Sequence, residues 1–190
     1  MLRTLRGFLP WIAFAVVNAV SDWRVGAIVA VALSVLLLVD NGRTGHGLDE
    51  AVIESSAAVF FVVIALIAFA APKSALQHHT GALAAAWLAV TAWGSIAIRK
   101  PFTLGIARRA VPEQFWHNPL FLRANMLIAS AWAGSFTASA IIQVIIDATV
   151  TNSGTANTIV QVACYVLPAL FTIRYQAARR RAAATNRATN

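Results

Sequence analysis

The stretch 52–71 constrains this chain more than any other. Within it Val59, Phe60, Phe61, Val62, Val63, Ile64, Leu66, Ile67 and Phe69 crowd together with no charge among them. At roughly −0.3 to −0.6 kcal/mol each, these nine side chains favour insertion into a bilayer by about 3–5 kcal/mol. The stretch also has the roughly 20 residues a helix needs to cross the hydrocarbon core. Five more apolar stretches follow the same pattern: 5–20, 25–39, 81–98, 124–146 and 158–173. The expected fold is therefore all-α, an integral membrane bundle of six transmembrane helices. Residues 1–178 form a single polytopic domain and 179–190 a basic cytoplasmic tail. No internal repeat and no interdomain linker is visible in the sequence.

Composition supports lipid as the solvent. Of the 190 residues 59% are hydrophobic and only 12% charged, with a mean hydropathy of +0.70. Soluble domains carry about 45–50% apolar and about 25% charged residues, because a water-facing surface must be diluted with charge. Cys164 is the single cysteine and has no partner for an internal disulfide.

The first two stretches are short, and Ser21, Asp22, Trp23 and Arg24 separate them. They read as a helical hairpin with Trp23 at headgroup level, where an amphipathic ring is favoured. A second reading makes them a tilted or re-entrant pair that thins the bilayer locally. A third takes residues 1–19 as a secretory signal, with Arg3 and Arg6 ahead of the apolar run and Val17, Asn18 and Ala19 at its end. Pro10 and Trp11 make that run less uniform than a signal core, which favours retention.

The net charge of +8 does not point to nucleic acid, because the basic residues sit between and after the apolar runs. With the N-terminus inside, thirteen of the 15 lie on the cytoplasmic side: Arg3, Arg6, Arg43, Arg99, Lys100, Arg108, Arg109, Arg123, Arg174, Arg179, Arg180, Arg181 and Arg187. Only Arg24 and Lys73 lie opposite. Six spans satisfy the positive-inside rule. The expected location is a bacterial inner membrane, with both termini cytoplasmic and anionic phospholipid as the partner of the basic segments.

The loop between the fourth and fifth stretches is the most distinctive. Pro101, Pro112 and Pro119 leave room for one short helix from Phe102 to Ala110, on which Phe102, Ile106 and Ala110 share a face. Such a helix can lie in the headgroup plane with its guanidinium groups on phosphates. Arg99, Lys100, Arg108, Arg109, Trp116 and Arg123 are the candidate contacts to lipid headgroups or to a partner. Their bland reading is topology alone.

Here a resemblance enters. Trp87 and Trp93 lie in a span that is followed by Arg99, Lys100, Pro101, Phe102 and Thr103. Asn125 then opens a span that contains Trp132. Over roughly the middle third of the chain this pattern resembles bacterial polytopic proteins of the intracellular septation protein A type. The resemblance implies an inner-membrane protein linked to envelope synthesis or division, and it supplies no catalytic residues.

Two further constellations merit naming. Ser130, Gly134 and Ala138 form a small-residue face at helical spacing, where helix backbones can approach closely. Packing within the chain is the expected use, and a homo-oligomer or a membrane-protein partner the alternative. Asn125, Gln143 and Asp147 are candidates for a polar vestibule, with Gln143 and Asp147 on one helix face. Asn18, Ser55, Ser56, Thr91 and Gln161 are the other polar groups within spans. His46, His78, His79 and His117 lie in loops or at span ends without ligand spacing, so no metal or haem is expected. No phosphate loop, nucleophile elbow or metalloprotease motif occurs.

The leading expectation is a non-enzymatic envelope protein that acts through protein or lipid interactions, without a cofactor. A small channel or uncoupled carrier lined by polar uncharged residues is the runner-up. Third comes a lipid enzyme holding a phosphate on Arg108 and Arg109.

Overall fold

A computed structural model describes residues 6–44, 52–108, 111–151 and 153–188. Arg3, His46 and Arg109, and the side chains of Arg180 and Arg187, lie outside the described residues. Among those described, the chain forms seven α-helices and three short 3-10 turns, with no strand. The helices are α1 (Leu9–Val20), α2 (Trp23–Arg43), α3 (Val52–Ala70), α4 (Thr80–Ala97), α5 (Thr103–Arg108), α6 (Pro119–Thr149) and α7 (Gly154–Ala188). The all-α architecture is as expected.

The span count differs from six. Five helices are long and apolar enough to cross a membrane: Trp23–Arg43, Val52–Ala70, Ala75–Ala97, Pro119–Thr149 and Gly154–Arg179. The first stretch, Arg6–Val20, is too short to join them. Its α-helical part rises only about 18 Å, against a core of about 30 Å. The chain breaks at Ser21, and Asp22 caps α2 by accepting a hydrogen bond from the Arg24 amide at 2.8 Å. That cap also lengthens α2 beyond the expected 25–39. Even so, α1 lies along α2, because Arg6 forms an ion pair with Asp40 and only two residues join the helices at the other end.

The helices pack in two groups, α1 on α2 on α3 and α4 on α6 on α7. Small side chains make the close approaches. Gly26, Ala27, Ala30 and Ser34 are buried on α2, Ala85 and Ala92 on α4, and Ala129 and Ala133 on α6, which packs on α4. Aromatic rings join the groups. Phe8 stacks on Trp132 at 4.8 Å between centroids and touches Phe102, Phe136 and Tyr165 at 5.9–6.4 Å. Trp11 meets Phe60 and Phe61 at 5.0 and 4.8 Å. Phe8, Trp11 and Phe14 are at most 4% exposed. Loss of residues 1–19 as a cleaved signal would therefore remove three large side chains from the core, each worth about 3–5 kcal/mol when truncated.

Three tryptophan N–H groups are satisfied across helices. Trp87 donates to Ser56, Trp93 to Thr137 and Trp132 to Thr172, at 2.8, 3.1 and 3.1 Å. Such interhelical bonds contribute about 0.6 kcal/mol each in a membrane.

The basic loop folds against the bundle. The α4 terminus closes with the Lys100 amide on the Ser95 carbonyl and the Arg99 amide on the Ile96 carbonyl, with Arg99 left-handed at φ 57°. This is a Schellman cap with arginine where glycine is usual. It turns the chain back so that the Phe102 amide bonds the Ser95 hydroxyl at 3.1 Å and Thr103 donates to the Asn125 carbonyl at 3.0 Å. Phe102, Thr103, Leu104 and Gly105 are buried. The short helix expected in this loop is α5, and it packs on α6. α7 continues through the start of the basic tail to Ala188.

Candidate functional site

A cavity of about 900 Å³ opens at the end of the bundle away from the basic loop. Its walls come from the C-terminal half of α1, the turn Ala75–His79, the start of α4, the end of α6 and the start of α7. α1 packs on α2 and α7 on α6, so no close helix packing joins α1 to α7, and the cavity lies in the gap between them.

Its polar end is built around Asp147. The carboxylate accepts from Nδ1 of His79 at 2.7 Å, from Ser153 at 3.0 Å and from the Asn157 amide at 2.6 Å. These three donors tie the turn before α4, the loop after α6 and the first turn of α7 to one side chain that is 8% exposed. Each charge-assisted bond is shorter and stronger than its neutral counterpart. Asp, His and Ser are the members of a hydrolase triad, but the wiring differs. Ser153 bonds the carboxylate, whereas a nucleophile must bond the far nitrogen of the imidazole.

Deeper in the cavity the amide oxygens of Gln143 and Gln161 converge above Gly81. A Cβ on Gly81 would collide with both, lying 2.8 Å from the Gln161 oxygen. Gln143 is 1% exposed and its amide nitrogen donates to Ser139 at 2.9 Å. Asn18 reaches from α1 to the Thr80 hydroxyl at 3.3 Å. The opposite wall is apolar, with Ile12, Ala15, Val16, Ala19 and Val20 of α1 and Val162 of α7. Tyr165 lines the cavity and also touches the Phe8 and Phe136 rings, so the aromatic core forms its inner end.

Of the three residues expected at a polar vestibule, Gln143 and Asp147 line this cavity. Asn125 does not: it is buried near the far end of α6, where its amide donates to the Phe121 carbonyl. At the basic end Arg108 stacks over the Trp116 ring, 5.1 Å from its centroid, and Trp116 donates to the Val111 carbonyl. Arg99, Lys100 and Arg123 are exposed. Arg179 donates to the Leu120 carbonyl at 3.1 Å, so the start of α6 and the basic part of α7 share one end of the molecule.

The small face of α6 is corrected. Gly134 and Ala138 are exposed, and a Cβ on Gly134 meets nothing within 4 Å. The buried face is the neighbouring one, Ala129, Trp132, Ala133 and Phe136, because the large rings supply more contact than the small stripe can.

Sequence reading missed His79, Ser153, Asn157, Gly81 and Tyr165 as one site. Ser153 and Asn157 do sit at i, i+4, one turn apart, which is a local signal. Nothing local connects His79 to a residue 68 positions away. Comparison with protein-family models, curated proteins and solved structures gave no match. The several apolar helices are those of a multi-pass membrane protein.

Proposed function

We propose that this chain is a multi-pass membrane protein that holds an amphipathic molecule in the cavity between α1 and α7. The head lies against the Asp147 network and the apolar part leaves along α1. One observation carries this reading: the cavity of about 900 Å³ has a polar floor and an apolar wall, and aromatic side chains back it. Ligand sites of this size pair a mostly apolar lining with a few placed polar groups. The channel reading fits less well, since Phe8, Phe102, Trp132 and Phe136 fill the bundle where a pathway would continue. The wiring of Ser153 speaks against an esterase.

The placement follows from charge. The basic end would face the cytoplasm of a bacterial inner membrane, with both termini there and anionic phospholipid around Arg99, Lys100 and Arg123. The cavity would then open near the outer leaflet. A role in envelope synthesis or septation rests on the resemblance of the Arg99 to Thr103 segment.

The test is native mass spectrometry of the purified protein, beside a Val16→Trp variant. Val16 is 59% exposed on the cavity wall, so tryptophan there narrows the gap without disturbing the core. An amphiphile retained by the parent protein and lost from the variant supports the reading. Equal retention by both removes the cavity from consideration.

A further inference from the structure

The polar end of the cavity is rich in hydrogen-bond acceptors, and the basic side chains that line it are two histidines, of which His79 is already paired with Asp147. No Lys or Arg is among the described residues that line it. Asp147 contributes the formal negative charge, and its bonds orient the neighbours. A carboxylate only accepts, so Asn157 must turn its NH2 toward Asp147 and its oxygen elsewhere. That oxygen, Oδ1, is buried and has no hydrogen-bond partner. The amide oxygens of Gln143 and Gln161 point at one spot above Gly81. The Tyr165 hydroxyl is buried without a well-formed hydrogen bond, its polar neighbour being the Gln161 amide. Buried polar groups left unpaired cost about 1–3 kcal/mol each. These oxygens belong to residues that line one end of the cavity, beside a carboxylate, and a ligand that supplies donors would satisfy them.

We propose that the ligand head is a primary ammonium, whose three N–H donors find acceptors among the oxygens of Asn157, Gln143, Gln161 and Tyr165 beside Asp147, with its alkyl tail along α1. An ammonium has three donors, no acceptor and a positive charge, which matches this inventory. A phosphate or sulfate head lacks donors and would face the carboxylate with no Lys or Arg to offset it. A sugar head could bond the amides, but it brings as many acceptors as donors and gains nothing from the charge. This assignment rests on the amphiphile reading above and adds the chemistry of the head.

The experiment holds the tail constant and varies the head. The full-length protein in phosphatidylcholine nanodiscs is titrated with dodecylammonium, dodecyltrimethylammonium, dodecyl maltoside and dodecyl phosphate, with empty nanodiscs subtracted. Dodecylammonium is expected to bind about tenfold or more tightly than the trimethyl analogue, which keeps the charge but lacks N–H donors. Dodecyl phosphate is expected to bind most weakly. Tyr165→Phe should narrow the gap between the two cations severalfold while leaving dodecyl maltoside unchanged. Gly81→Ala, which drives two amide ends into the cavity, should weaken dodecylammonium binding. Equal binding of all four heads, or a preference for maltoside or phosphate, overturns the ammonium assignment and leaves an amphiphile site standing. No saturable binding by any of the four overturns both.

Discussion

The Ser135 hydroxyl donates to the Cys164 carbonyl at 3.0 Å, and that carbonyl is the one Pro168 leaves without its helical partner. Proline has no N–H to return four residues back. Inside a membrane the vacant acceptor has no water to turn to. α6 therefore supplies the donor that α7 lacks, and the bond fixes the two helices in register. Ser135→Ala is expected to cost about 1–2 kcal/mol of stability. Pro168→Ala restores an N–H to α7, so the serine change should cost much less in that background. Equilibrium unfolding of the two single variants and the double variant measures the coupling. Independent, additive losses would show that the serine serves some other purpose.

The Arg99 backbone gives a second prediction. Its φ of 57° is a conformation that disfavours side chains by about 1–2 kcal/mol, and glycine adopts it without that cost. Arg99→Gly should raise stability by about 1 kcal/mol while leaving the fold intact. Thermal unfolding in detergent checks this. A loss of stability would mean that the exposed guanidinium makes a contact worth more than the strain it tolerates.

Gly134 tests the outer face of α6. Because a new Cβ there meets open space, Gly134→Leu should leave the unfolding temperature of the isolated chain unchanged. Bulk introduced into a packed helix pair usually costs about 1–3 kcal/mol. A drop of that size, or a change in oligomeric mass, would show that a second chain covers this face.

Much of the fold is legible in the sequence because lipid makes strong demands. Uninterrupted apolar length marks α3, α4, α6 and α7, and the position of Asp22 as a cap is visible once α2 is seen to begin at Trp23. Apolar length says less about which face turns inward. In water the polar face announces itself, whereas in lipid both faces of α6 are apolar. The burial of Trp132 and Phe136 over Gly134 and Ala138 was decided by ring contacts with Phe8, a residue in a different helix. The cavity was legible only in part for the same reason. Gln143 and Asp147 share a helix face, but His79 and Asn157 reach Asp147, and Asn18 reaches Thr80, from segments that only the fold brings together.

The Asp147 junction offers the last prediction. Three donors meet on this carboxylate, and they hold the turn before α4, the loop after α6 and the start of α7 around the cavity mouth. Asp147→Asn keeps the volume but replaces an acceptor-only group with one that carries two donors. An asparagine there can keep its oxygen for Ser153 and Asn157 while its NH2 faces His79, whose ring must then take the tautomer that accepts at Nδ1. All three bonds then lose their charge assistance. The expected cost is about 1–3 kcal/mol, the range for hydrogen bonds to an ionised group. His79→Ala removes only one of the three donors and leaves the other two in place, so it should cost less. Amide exchange should report the location: faster exchange at the start of α7 and in the turn before α4, with the α2 and α3 amides unchanged. Uniform loosening of the whole bundle would mean that Asp147 stabilises the protein globally and has no particular hold on the cavity mouth.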